Sequence, residues 1–188
     1  SADISYAFRQ GLRIFSADAK IWKDSLKESF EPFKHITDKE SQQAVFNEFK
    51  ARLVSNDLYD TAMKSKLSIG VIEDYFPTAV VEKIPVLGNV FKASNEAFTI
   101  FSQGARMRLF EKLHEKHADS MTPELAKDLA EISNSISGRG NLGKLEGQSG
   151  LLNKVFYSLR YIKSTVDIFW NPFDPALDPI ARMEARKS

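Results

Sequence analysis

The stretch Ser137 to Gly147, SGRGNLGKLEG, carries two phosphate-binding patterns at once. Gly138, Gly140 and Gly143 spell G-x-G-x-x-G, and Gly138, Gly143 and Lys144 spell G-x-x-x-x-G-K. A phosphate-binding loop works because a strand delivers the chain to a compact turn whose amides wrap an anion at a helix start. A Ser or Thr after the lysine then holds Mg²⁺. Leu145 stands in that position, so the metal ligand is missing. Leu125 to Ile136, just upstream, has the spacing of a helix rather than of a buried strand. The dinucleotide pattern fails on the same ground, since it needs a βαβ unit. Five of the nine glycines fall between 138 and 150. They read as a helix C-terminus, with Gly138 in the left-handed position, followed by a long turn.

Other residues with chemical potential are few. The chain has no cysteine, which excludes disulfides, thiolate metal sites and cysteine nucleophiles. Of three histidines, His114 and His117 are spaced i,i+3, without the His-Glu-x-x-His pattern of a catalytic metal site. They read as surface histidines near a helix C-terminus, where positive charge is favoured. Glu73-Asp74 reads as helix capping, and Arg106 and Arg108 as helix-surface cations within reach of Glu111. No catalytic residue, metal site or cofactor follows from these residues.

The elements that would position such groups are helices. Ile21, Trp22, Leu26, Phe30 and Phe33 recur at three- and four-residue steps after a cap at Ser16 or Asp18. Thr37-x-x-Glu40 is a capping-box pattern for a helix with Val45, Phe46, Phe49 and Leu53 inward. Leu58, Tyr59, Ala62 and Leu67 predict a shorter helix ended by Gly70. Residues 71–88 are irregular, with room for one short strand. A long helix follows, from Val90 to about His117. Thr122-Pro123 caps another that buries Leu125, Leu129, Ile132 and Ile136. Leu151, Leu152, Val155, Phe156, Leu159 and Ile162 form a further stripe. Asn171-Pro-Phe-Asp-Pro cannot be a helix interior and reads as a linker before a terminal helix from about Ile180. The expected fold is all-α, an irregular multi-helix bundle of about six to seven helices with little or no sheet. Its expected domain spans residues 1–170, and 171–188 form a linker and terminal helix.

With 188 residues and 43% hydrophobic content, the chain is long and apolar enough for a buried core. Its formal net charge of +1 gives no global basic field. From Arg139 onward there are 8 Lys/Arg against 5 Asp/Glu, and 18 against 20 before it. Arg139, Lys144, Lys154, Arg160 and Lys163 in that basic part are candidate phosphate contacts to a nucleic acid. No run reaches the length of a membrane span. The Ser-Ala-Asp opening and charged tail suggest a piece of a longer polypeptide.

The order of several phrases is more specific than any one of them. The chain opens with Ser5-x-x-Phe8-Arg9-Gln10-Gly11, followed by Trp22 in an amphipathic helix. It continues with Ile84-Pro85-Val86-Leu87-Gly88, Ala93-Ser94 and Arg106, and closes with Gly138-Arg139-Gly140-x-Leu142-Gly143 and Leu152-Asn153-x-x-Phe156-x-Ser158-x-Arg160. In this order the chain resembles the helical large polyvalent protein-associated domains of very long bacteriophage proteins, over about residues 4–182. It departs from them at Ser94-Asn95-Glu96, where Ser-Glu-Arg is usual, and at Leu159, where proline is common. The resemblance implies a virion protein packaged with the genome and ejected into the host cytoplasm, partnered by other virion proteins or other domains of its parent polypeptide. It brings no catalytic set. Arg9, Gln10, Gly11, Gly138, Arg139, Gly140, Asn153 and Arg160 match its signature positions, with Arg9, Arg139, Asn153 and Arg160 expected to tie carbonyls at helix ends.

Gly138→Val is expected to cost about 1–3 kcal/mol through backbone strain. Arg139→Ala should destabilise comparably if the guanidinium is buried and paired. Thermal denaturation together with DNA or partner binding separates this from a ligand contact, whose loss leaves the melting temperature unchanged.

Overall fold

The computed structural model describes residues 11–70, 85–138 and 177–185. These residues are all-α: helices and turns, with no strand among the described residues. They divide into two compact units, the first within residues 1–59 and 70–105, the second within 60–69 and 106–188.

The first unit opens with α1 (Gly11–Ala17) and α2 (Ala19–Ser29), which pack on each other. Asp18 is the cap between them and accepts from the Ile21 amide at 2.9 Å. Ser16, the other candidate, lies inside α1 and donates its hydroxyl to the Leu12 carbonyl. The apolar face expected to run on through Phe30 and Phe33 is interrupted at Phe30, and α3 (Glu31–Lys34) restarts with Pro32 in its first turn. Proline has no amide hydrogen for an unbroken ladder, so the break falls there. The buried line of α2 is Ile21, Ser25 and Ser29, whereas Phe30 is exposed. Two serines at helical spacing let a neighbouring surface approach where larger side chains would hold it off.

Helix α4 (Lys39–Val54) is capped by Asp38, one residue later than the Thr37 capping box predicts. Asp38 accepts from the Glu40 and Ser41 amides, and these bonds, led by the Ser41 hydroxyl, hold its carboxyl below the usual range. A carboxylate outperforms a hydroxyl at this position because it also meets the positive end of the helix dipole. Of the expected inward residues, Phe49 and Leu53 are buried, while Val45 and Phe46 are half-buried and Gln42 is fully enclosed. Helix α6 (Pro85–Lys116) begins with proline at its first position and contributes Ala93, Ala97, Ile100 and Phe101 to the buried set of this unit. Gly11 is required by packing: a Cβ there would meet Trp22 Nε1 at 2.6 Å and Phe101 Cζ at 3.0 Å.

The second unit takes α5 (Tyr59–Lys64) from Asp60 onward, α6 from Arg106, α7 (Pro123–Ile136) and α8 (Pro179–Ala185). Thr122 caps α7 by accepting from the Leu125 amide at 3.1 Å, and Leu125, Leu129, Ile132 and Ile136 are all buried, as their spacing predicts. Helix α8 packs on α7 through buried Ala181 and Ala185. Its approach is fixed by the Asp178 amide, which donates to Asp128 Oδ2 at 2.6 Å.

Helix α5 ends at Lys64, well short of Gly70. The Lys66 amide donates to the Met63 carbonyl and the Leu67 amide to the Ala62 carbonyl, the paired bonds of a Schellman termination. Buried Leu67 and Ala62 bracket it. Lys66 therefore holds φ +62°, the left-handed conformation in which glycine is usual. A β-carbon there costs about 1–2 kcal/mol, and glycine's extra freedom in the unfolded chain takes back about 0.5–1 kcal/mol. Lys66 is exposed and loses no packing on truncation. Lys66→Gly is thus expected to stabilise the protein by about 0.5–1 kcal/mol, measurable by urea denaturation.

Candidate functional site

The described residues of highest chemical interest are buried polar groups. Thr99 to Met107 are all buried, and Arg106 is the one formal charge among these nine residues. Its side chain is 1% exposed. The guanidinium donates from Nε to Ser137 Oγ at 2.6 Å and from one terminal nitrogen to the Ser68 carbonyl. Ser137 is the C-cap of α7, so the cation sits at the negative end of that helix.

Asn134, in the last turn of α7, adds a second clamp. Its Oδ1 accepts from the Ser68 amide at 2.9 Å and its Nδ2 donates to the Lys66 carbonyl at 3.1 Å. The segment after α5 thus has its free amide and carbonyls used by α6 and α7. Gly138 follows with φ +84° and donates its amide to the Ser135 carbonyl, one of the two Schellman bonds. The glycine-rich segment therefore begins at the end of a helix. A phosphate loop needs a strand before its first glycine, so this arrangement is the wrong one for either nucleotide pattern.

Two carboxyl groups are also buried among the described residues. Glu184 on α8 is 7% exposed; Lys116 Nζ reaches its two oxygens at 2.7 and 2.8 Å, and His117 Nε2 lies 3.1 Å from Oε1. His117 is half-buried against this carboxylate, which corrects the expectation of a free surface histidine; His114 packs its ring near Phe110. In the first unit, Gln42 and Glu96 are buried on α4 and α6, with Lys92 Nζ 3.6 Å from Glu96 Oε1. Among the described residues, no group of three or more His, Asp or Glu is placed to hold a metal ion. No helix among them is long and apolar enough to cross a membrane.

The phosphate-contact candidates Arg139, Lys144, Lys154, Arg160 and Lys163 lie outside the described residues, as do Arg9, Gln10, Gly140, Asn153 and the Glu73-Asp74 pair. Of the signature positions, Gly11 and Gly138 are described, and each has a reason to be glycine: close approach for the first, positive φ for the second. The task of tying helix-end carbonyls, expected of Arg9, Arg139, Asn153 and Arg160, is carried in the described residues by Arg106 and Asn134. Arg106, expected on the helix surface within reach of Glu111, is instead buried. No signal in the sequence marks Asn134, whose role depends on the path of the chain near Lys66.

No protein-family model matches the chain, and no curated protein and no solved structure is significantly similar to it.

Truncation of Arg106 removes charge-assisted hydrogen bonds worth about 1.5–3 kcal/mol each and leaves buried acceptors without a donor. Arg106→Ala is expected to lower stability by about 3–5 kcal/mol, read by chemical denaturation. A loss within 1 kcal/mol would remove Arg106 as the organiser of the second unit.

Proposed function

We propose that this chain is a non-enzymatic helical module of a bacteriophage virion-packaged or genome-ejected protein, acting by docking against other virion proteins or other domains of its parent polypeptide. The observation that carries the reading is the ordered set of phrases from Ser5 to Arg160, whose sequence and spacing resemble the large polyvalent protein-associated domains. The surface of α1 supports a docking role. Gly11 and Ile14 are buried, while Leu12 and Phe15, also three residues apart, are 62% and 51% exposed on another side of the helix. Phe15 meets the Trp22 ring edge-on at 5.5 Å, which holds it in place as a contact residue. Isolated exposed apolar residues need no explanation; two on one side of one short helix present an anchor.

The excess of positive charge from Arg139 onward supports the alternative of a nucleic-acid-binding module contacting phosphates through Arg139, Lys144, Lys154, Arg160 and Lys163. That reading predicts salt-sensitive retardation of a DNA fragment at micromolar protein. The docking reading predicts no retardation.

Mass spectrometry of purified particles should find peptides of this chain, and their consistent absence would overturn the virion assignment. Within it, the double variant Leu12→Glu/Phe15→Glu should reduce incorporation several-fold while leaving the melting temperature within about 2 °C, because exposed substitutions have small effects on stability.

A further inference from the structure

Glu96 and Gln42 pose a problem of charge and hydrogen bonding inside the first unit. Gln42 on α4 is fully buried, and neither its amide nitrogen nor its amide oxygen has a hydrogen-bond partner. Glu96 on α6 is 6% exposed, and its Oε2 is likewise unpartnered. The nearest cation, Lys92, stands one helical turn away with its Nζ 3.6 Å from Glu96 Oε1, beyond hydrogen-bond length. That ammonium donates instead to Gln43 Oε1 at 2.8 Å. Lys50, on α4, is a second cation acting on this carboxyl, and its Nζ sits 4.3 Å from the centre of the Phe46 ring. An ionised Glu96 would be a buried charge whose one ion pair stands beyond hydrogen-bond length, which is a costly arrangement.

A proton removes the difficulty. The Gln42 amide nitrogen is a donor that an ionised Glu96 could use, but that pairing leaves the Gln42 oxygen with no donor; a neutral carboxyl carries one O–H, so it can serve the amide oxygen while still accepting from the nitrogen. We infer that Glu96 is held as a neutral carboxylic acid that donates its proton to Gln42, so that the α4–α6 contact of the first unit is closed by protonation and loosened by ionisation. Burial, the largest influence, pushes the Glu96 carboxyl above its ordinary value; Lys92, Gln42 and Lys50 act in the opposite direction without overcoming it.

The direction of the pH effect follows. A carboxyl whose folded-state pKa is raised contributes stability that is fully present below its unfolded pKa. That contribution is lost as pH rises through the folded-state pKa. Asp38, at the N-terminus of α4, works the other way: its carboxyl is held low, and its contribution is lost as pH falls. The two are separable because they act on opposite sides of the ordinary carboxylate range.

The test uses the full chain and two readouts. Urea denaturation of the wild type and of Glu96→Gln, from pH 5 to pH 8, should show the wild-type midpoint falling with pH relative to the variant. The variant, which keeps a neutral donor in place, should equal or exceed the wild type at pH 8. A variant less stable than wild type by the same margin at every pH would overturn the inference, because it would show an ionised Glu96 held by Lys92. Carbon NMR of the Glu96 side-chain carboxyl in the wild type reads the proton directly, independently of whether the variant folds. A titration midpoint above the ordinary glutamate value of 4.5 is expected; one at or below it would overturn the inference.

Discussion

A guanidinium that cannot be deprotonated, enclosed at 1% exposure, is the constraint around which the second unit is arranged. Arg106 can be buried only if acceptors are brought to it, and a helix supplies none from its own interior. The acceptors come from places where backbone order ends: the C-cap of α7 at Ser137 and the Ser68 carbonyl beyond α5. Both helix terminations therefore have to be sharp. Lys66 takes a left-handed backbone to turn the chain after α5, and Gly138 takes one to turn it after α7. The strain of a lysine at such a position is tolerable because a buried cation without acceptors would cost more.

Asn134 shows how the same economy extends outward. Its side-chain amide has one acceptor and two donors on one short stem, which suits it to pair with the Ser68 amide and the Lys66 carbonyl together. Ser137 both accepts from Arg106 and donates to the Asn134 carbonyl at 2.9 Å, so the clamp is a connected network instead of separate contacts. Such networks specify one arrangement of the chain because partial satisfaction is penalised. The Glu184 carboxylate repeats the principle at α8, where Lys116 and His117 supply the donors.

The first unit handles polarity differently. Its buried serines are small, and Ser29 bonds back to the Leu26 carbonyl, so they add little demand. Gln42 and Glu96 do make demands, and among the described residues no hydrogen bond reaches the Gln42 amide or Glu96 Oε2 as Ser137 reaches Arg106. Protonation, as inferred above, satisfies an acid in that setting. The apolar pair Leu12 and Phe15 lies on α1 of this same unit, and the docking role proposed for it requires only that Gly11 and Ile14 keep that helix seated.

Helical periodicity, capping residues and proline positions determined the all-α class, the Thr122 cap, the inward face of α7 and the long span of α6, because each depends on spacing within one element. The failure of the phosphate-loop patterns was equally local: Leu145 in the metal-ligand position and a helix before Gly138. What periodicity missed has a common cause. The stop of α2 at Phe30, the termination of α5 at Lys66 and the burial of Ser25, Ser29 and Gln42 depend on what another segment brings to the position. Composition ranks a lysine below glycine for a left-handed turn and a glutamine below phenylalanine for a core. Arg106 was expected as a helix-surface cation near Glu111, because the acceptors that enclose it, at Ser137 and Ser68, lie 31 and 38 residues away in sequence. Pairings over that distance leave no spacing pattern in a single chain; they are decided by packing, which brings the ends of two other helices to one guanidinium.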